Sequence, residues 1–124
     1  MKNQYFGDNR DLFKYDLVYQ IMEERLADHF TFIPMLTEPD ITRQGENRDR
    51  KKAKAGTENE ELVSFLNGFK EKSKRDIKHL NSFFGKEAIE MTTYYGKNKY
   101  FSHEKRKEYF EQIADELLSK SLVL

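Results

Sequence analysis

Four polar residues with chemically useful side chains lie close together near the start of the chain. In the segment "YFGDNRDLFKY", Asp8, Asp11, Lys14 and Tyr15 follow the turn at Gly7. Carboxylates are stabilised near the positive end of a helix dipole, and helix amides at that end can bind phosphate. The segment therefore predicts either a polar pocket or phosphate site, or a capping turn followed by a solvated helix face.

Two further carboxylates follow the first apolar run of the sequence. Glu38 and Asp40 flank Pro39 in the segment "TEPD". Carboxylates spaced in this way can bind a hard cation or act as a general base, and an acidic turn around the proline is the alternative. We predict that the candidate catalytic residues share one pocket. They are Asp8, Asp11, Lys14, Glu38 and Asp40.

The polar segment between 37 and 56 is predicted to be a long loop. Between 43 and 54 it carries six basic residues against Glu46 and Asp49, which leaves a local net charge of +4. A basic loop beside aromatic residues can bind a nucleic-acid backbone and stack a base, whereas a solvated run of charges is the alternative. Because Ile41 is its only core residue, we expect this loop to be mobile unless a partner orders it. The predicted nucleic-acid contacts are Arg43, Arg48, Arg50, Lys51, Lys52 and Lys54.

Composition excludes several other kinds of site. The chain has no cysteine, which excludes disulfides, thiol catalysis and Cys-ligated zinc. His29, His79 and His103 are scattered without metal-ligand spacing, so no metal site is predicted. The 22 basic and 22 acidic residues cancel, so a nucleic-acid site must be a local patch. No apolar run approaches the ~20 residues that span a bilayer, which predicts a cytoplasmic protein with no membrane partner.

Three helices are predicted from apolar residues at helical spacing in a single domain of 124 residues. The first extends from Asn9 to Ala27. The second is one long helix that begins at Thr57, which forms a capping-box pattern with Glu60, and ends near Gly85. The third follows a cap at Ser102.

Three strands are predicted between and after these helices. They lie in "FTFIPML", where Pro34 marks an interruption or a sheet edge, in the alternating "AIEMTTYY" and in the final "SLVL". Strands that alternate with helices predict an α/β domain, with a small, mostly parallel sheet and flanking helices in a three-layer Rossmann-like arrangement. Ligands in such folds bind beyond the carboxyl ends of the strands, where "TEPD" is expected to lie.

The apolar end of the sequence is typical of a central parallel strand. Leu122, Val123 and Leu124 form a continuous apolar run. We therefore expect "SLVL" to begin a central strand, and the chain to be the N-terminal portion of a longer fold. A sheet left open at this strand is expected either to pair with a second copy, which would give a homo-oligomer, or to aggregate.

The opening "MKNQYFGDNRDLFKYDLV" resembles the start of an uncharacterised family of bacterial and phage proteins. Members open with M-K-N-Q-Y-F-G-D and continue to Lys-Tyr-Gly-Leu-Leu. Asp11, Lys14 and Tyr15 match this pattern, whereas Leu12 and Asp16 stand where an aromatic residue and a glycine are usual. In that family more sheet follows a strand like "SLVL". The resemblance is close over the first 18 residues and loose over the rest of the chain.

This family is similar to Rossmann-type methyltransferases, in which an acidic-proline segment at a strand end lies in the active site. The resemblance implies an enzyme acting on nucleic acid or a nucleotide, with "TEPD" at its site. The G-x-G-x-G loop of dinucleotide or S-adenosylmethionine sites is absent, so the cofactor is unknown. The alternative function is a non-catalytic, phage- or defence-associated interaction module that binds a partner through its basic loop.

Overall fold

The computed structural model describes residues 1–41, 55–94, 100–115, 117 and 121–124. Within these ranges the chain forms four α-helices and three β-strands. In chain order they are α1 (Asn9–Glu23), β1 (His29–Phe32), α2 (Glu60–Asn67), α3 (Leu80–Lys86), β2 (Met91–Thr93), α4 (Arg106–Ala114) and β3 (Ser121–Val123). The described residues therefore confirm the predicted α/β class.

The sheet has three parallel strands in the order β2-β1-β3. Phe30 of β1 lies in register with Met91 on one side and Leu122 on the other. The predicted parallel pairing is confirmed and β3 has, in the described sheet, the open edge expected of it, but the expectation that Pro34 interrupts a strand or marks a sheet edge was wrong. β1 is the central strand and ends before Pro34, so the proline interrupts no ladder. β3 lies at an edge of the described sheet, and pairing of a second copy with that edge stays a prediction.

The hydrophobic core lies between one face of β1 and the first three helices. Phe30 and Phe32 point to this face because alternate strand residues share a side. The opposite face of β1 carries His29 and Thr31, which are also buried. The core side chains include Phe6, Leu12, Tyr15, Val18, Leu62, Leu66, Ile77, Leu80, Phe83 and Phe84. The predicted aromatic core is thus confirmed for these residues.

Helix α1 ends four residues earlier than its apolar pattern predicted, at Glu23 instead of Ala27. Arg25 has a φ of 53°, and its amide donates to Met22 while the next amide donates to Ile21. This is a Schellman motif, which closes a helix by satisfying its last carbonyls. Leu26 lies beyond it and is exposed, so it is not part of the helix face.

The predicted long helix from Thr57 to about Gly85 is wrong, because the chain breaks after α2. Gly68 caps α2, and the helical pattern resumes only where the side chain of Asp76 accepts the amide of Lys78. The break exposes backbone carbonyls that a continuous helix would have paired. The Arg75 side chain supplies the missing donors. Its guanidinium donates to the carbonyls of Phe69, Lys70 and Gln4 at 3.0, 2.6 and 2.9 Å.

Two predicted helix caps were also wrong. Asn59, not Thr57, caps α2, since its side chain accepts the amide of Leu62 at 3.0 Å. Ser102 makes no side-chain capping bond and precedes a short 3-10 turn, His103–Lys105, that leads into α4. Asp8 caps α1 as predicted.

Candidate functional site

The first residues of the chain lie against the segment that follows β1. The Met1 ammonium donates to the Met35 carbonyl at 3.1 Å, and the Thr37 amide donates to the Met1 carbonyl at 2.7 Å. Burial lowers the pKa of the Met1 ammonium, and the charges of Lys14 and Lys2 lower it further. The start of the chain, the start of α1 and the segment after β1 therefore meet at the carboxyl end of the central strand.

The Asp8 side chain accepts hydrogen bonds from two backbone amides at the N-terminus of α1. Its Oδ1 accepts the amides of Arg10 and Asp11 at 2.8 and 2.9 Å. These are the donors that a phosphate bound at a helix N-terminus would use. The turn therefore acts as a cap here, which is the alternative that the sequence left open.

Asp11 is the buried carboxylate of this region, with only 3% of its surface exposed. The Gly7 amide donates to its Oδ2 at 3.0 Å, and Lys14 Nζ lies 2.7 Å from its Oδ1. Burial raises the pKa of Asp11, and the charge of Lys14 and its hydrogen bond oppose this. Buried carboxyls with a perturbed pKa and a specific charged partner occur at functional sites and in structural ion pairs.

The neighbours of Asp11 on α1 differ in their access to solvent. The Lys14 side chain is 37% exposed, so its ammonium can reach a bound molecule. Tyr15 is fully buried, with its ring 6.3 Å from that of Phe6 and 6.2 Å from that of Phe32. Burial raises the pKa of Tyr15 well above its ordinary value, and the Asp11 carboxylate adds to the effect.

Glu38 and Asp40, the second predicted acidic pair, have different environments. Gln4 Nε2 donates to Asp40 Oδ1 at 2.9 Å, and Lys2 pairs with Asp40 Oδ2, so both carboxylate oxygens are engaged. The Asp40 amide in turn donates to Gln4 Oε1 at 2.9 Å, which makes Asp40 an anchor for the chain after β1. Glu38 is exposed. Sequence analysis did not identify these roles of Lys2 and Gln4, although both residues lie in the opening segment of the chain.

Only part of the predicted loop can be placed. Thr37 and Asp40 are tied to the N-terminal residues, which differs from the mobility expected of the whole loop. At the other end, Gly56 has a φ of 87° and a side chain there would come within 3.0 Å of the Leu12 carbonyl. The six predicted nucleic-acid contacts, Arg43, Arg48, Arg50, Lys51, Lys52 and Lys54, lie outside the described residues.

A separate acidic groove lies beside α1 and the start of α2. Its volume is about 770 Å³. The Tyr19 hydroxyl lies 3.5 Å from Glu87 near this groove, and loss of hydration with the nearby charge of Glu61 raises the pKa of Glu87. The sequence analysis missed the groove, because its residues come from separate segments with no common motif. They are Asp16, Tyr19, Gln20, Ala55, Gly56, Glu58, Asn59, Glu60 and Glu61.

Comparison with protein-family models, curated proteins and solved structures found no match for this chain. Across the described ranges, no helix has the length and apolar character needed to cross a membrane. In the same ranges, no three acidic or histidine side chains converge closely enough to bind a metal ion. The arguments for function therefore depend on the geometry of the carboxyl end of β1.

Replacing Asp11 by Asn should change how stability depends on pH. Because burial raises the pKa of Asp11 in the folded state, the ionised carboxylate costs stability at neutral pH. This cost disappears as the pH falls through the folded-state pKa towards the ordinary value of about 3.9. The unfolding free energy of the wild type minus that of Asp11→Asn should therefore increase between pH 7 and about pH 4.

Urea denaturation of both proteins at several pH values measures this difference. Subtraction removes the contributions of the other titrating groups, because they are common to both chains. A difference that decreases towards acid pH would show that Lys14 and the Gly7 amide outweigh burial at Asp11.

Proposed function

We propose that this chain is the ligand-binding domain of an enzyme acting on a nucleotide or nucleic acid, with its ligand at the carboxyl ends of β1 and β3. The observation that supports this most is the buried Asp11 paired with the half-exposed Lys14 beside that end of the sheet. Lys14 supplies a cation for a phosphate group. Asp11 fixes the position of Lys14 and is suited to hold a proton.

The strand order supports this location. The connection after β1 leads to one neighbour, β2, and the chain then returns to the other side of β1 as β3. A reversal of this kind opens a crevice between β1 and β3, and open parallel sheets bind ligands at such points. We extend the proposal to a three-layer Rossmann-like arrangement, to a distant relationship with methyltransferases and to a cytoplasmic location. We assign no cofactor.

Substitution of Lys14 tests the proposed site. Calorimetric titration at low salt should detect binding of adenosine monophosphate by the wild type. Lys14→Met should weaken it about tenfold or more, because a hydrogen bond to a charged group contributes about 1.5–3 kcal/mol. S-adenosylmethionine should be titrated in the same way, given the resemblance to methyltransferases.

Lys74→Met is the matched control for this experiment. Lys74 forms the same i,i+3 pair, with Glu71 at 3.1 Å, but both side chains are exposed. This control should bind adenosine monophosphate like the wild type. Equal binding by the wild type and Lys14→Met, or no binding by the wild type, would contradict the proposed site.

The basic segment supports a second candidate function, binding of a nucleic-acid backbone by a non-catalytic module. Its two flanks are fixed on the domain, by Asp40 at one end and by Gly56 packed on Leu12 at the other. The six predicted cations lie between these two flanks in the sequence. A single-stranded oligonucleotide that binds the wild type and Lys14→Met equally would favour this function.

A further inference from the structure

The outer side of α1 exposes two apolar side chains to solvent. Phe13 is 50% exposed and Leu17 is 49% exposed, whereas Leu12, Tyr15 and Val18 of the same helix are buried in the core. Residues four apart on a helix are neighbours on its surface, so Phe13 and Leu17 form one exposed apolar patch.

Two basic residues lie beside this patch. Arg10 comes three residues before Phe13 and four before Lys14, and Lys14 comes three before Leu17, all within α1. Side chains at these spacings have Cβ atoms about 5–6 Å apart, so the four residues form one continuous surface. Arg10 is exposed, and the Lys14 side chain is 37% exposed. The basic–aromatic face of α1 is the surface made of Arg10, Phe13, Lys14 and Leu17.

Single-stranded nucleic acid has the chemistry that matches this face. Cations bind backbone phosphates, and a guanidinium such as that of Arg10 can donate two parallel hydrogen bonds to one phosphate. An exposed aromatic ring binds a base by stacking, which requires a base that is not already stacked within a duplex. A nucleoside monophosphate has one phosphate for two cations. The face therefore fits a single strand better than a duplex or a mononucleotide.

We propose that the basic–aromatic face binds single-stranded nucleic acid, with one base stacked on Phe13 and neighbouring backbone phosphates on Arg10 and Lys14. This binding mode rests on the proposed function, which assigns a phosphate to Lys14, and it specifies the substrate class as a single-stranded polynucleotide. Leu17 extends the apolar surface beside the stacked base. Arg10 and Phe13 bind the strand and take no part in the chemistry.

A second copy of the chain fits this face less well. The apolar part consists of two half-exposed side chains, Phe13 and Leu17. A stable interface between proteins buries about 800 Å² on each partner, which two such side chains cannot supply. A base needs only the area of one ring, so the patch has the size that stacking requires.

Fluorescence anisotropy with a labelled single-stranded oligothymidylate measures the proposed binding. Phe13→Ala should weaken it about tenfold, because one base loses its stacking partner. Phe13→Tyr keeps the face of the ring and should bind within about twofold of the wild type. Leu26→Ala is the matched control, since it removes another exposed apolar side chain, and it should bind like the wild type.

Salt dependence distinguishes the roles of Arg10 and Phe13. Each phosphate contact to a single strand contributes about 0.7 to the slope of log affinity against log salt concentration. Arg10→Met and Lys14→Met should each reduce this slope by about 0.7, whereas Phe13→Ala should lower the affinity at an unchanged slope. Lys74→Met is the control and should keep the wild-type slope. Arg10 and Phe13 are exposed, so both variants should fold normally.

The outcomes separate this binding mode from the proposed function. Equal oligothymidylate binding by the wild type and Phe13→Ala would overturn the binding mode, and adenosine monophosphate binding that depends on Lys14 would still support the site. A dimer in light scattering that Phe13→Ala dissociates, without any effect on oligothymidylate binding, would overturn the binding mode in favour of a second copy. A wild-type protein that binds neither adenosine monophosphate nor oligothymidylate would overturn both.

Discussion

Replacing Arg75 by Met is expected to lower the free energy of unfolding by about 3–5 kcal/mol. The guanidinium donates to three backbone carbonyls, of Gln4, Phe69 and Lys70, and only 7% of Arg75 is exposed. Methionine keeps most of the apolar stem but removes every donor. Each hydrogen bond to a charged group contributes about 1.5–3 kcal/mol, and a buried carbonyl left unpaired costs about 1–3 kcal/mol. Relaxation of the chain around the site keeps the total below the sum of these terms.

Urea denaturation at neutral pH measures this loss. Arg75→Lys should recover only a small part of it, because one ammonium cannot replace a planar group with donors in three directions. Arg10 is exposed, and Arg10→Met should change the unfolding free energy by no more than about 0.5 kcal/mol. If Arg75→Met were as stable as this control, the break between α2 and α3 would not depend on the guanidinium.

Replacing Phe84 by Ala should destabilise the domain by a similar amount, about 3–5 kcal/mol. Phe84 is fully buried, with its ring 5.3 Å from that of Phe30 and 5.4 Å from that of Phe83. The substitution removes contact between α3 and the central strand. It also leaves a cavity that a backbone fixed by the parallel sheet cannot easily close.

Phe13→Ala is the matched control for this core substitution. Phe13 lies on α1 with half of its surface exposed, so the same change in chemistry should cost about 1 kcal/mol or less. Thermal or urea unfolding of both variants gives the comparison. Equal losses for Phe84→Ala and Phe13→Ala would contradict the position of Phe84 in the core.

The strands and their direction could be predicted because their signals are local. Alternation in "AIEMTTYY" and the apolar run in "SLVL" both identify β strands, and the intervening helices imply parallel pairing. Strand order could not be predicted, since periodicity carries no information about which strands are neighbours. The long helix failed for a related reason. Its apolar spacing continues across the break, and the bonds that stabilise the break come from Arg75.

The candidate site was predictable only in part. Asp11, Lys14 and Tyr15 share consecutive turns of one helix, so their proximity follows from sequence spacing. The role of Asp40 does not, because it depends on Gln4 and Lys2 folding back from a distant part of the chain. The sequence also does not show which acidic residues are buried. Asp11 lies inside the domain, whereas Glu38 lies on its surface.

The central position of β1 has a consequence for synthesis of the protein. β1 leaves the ribosome before either of its neighbours, and His29 and Thr92, which bond across the first pairing, are 63 residues apart. Until β2 and β3 emerge, both edges of β1 lack their native partners, and its two core phenylalanines lack much of their cover. Parallel pairing over such separations is intrinsically slow, so the nascent chain is expected to leave β1 unpaired for longer than a local hairpin would be.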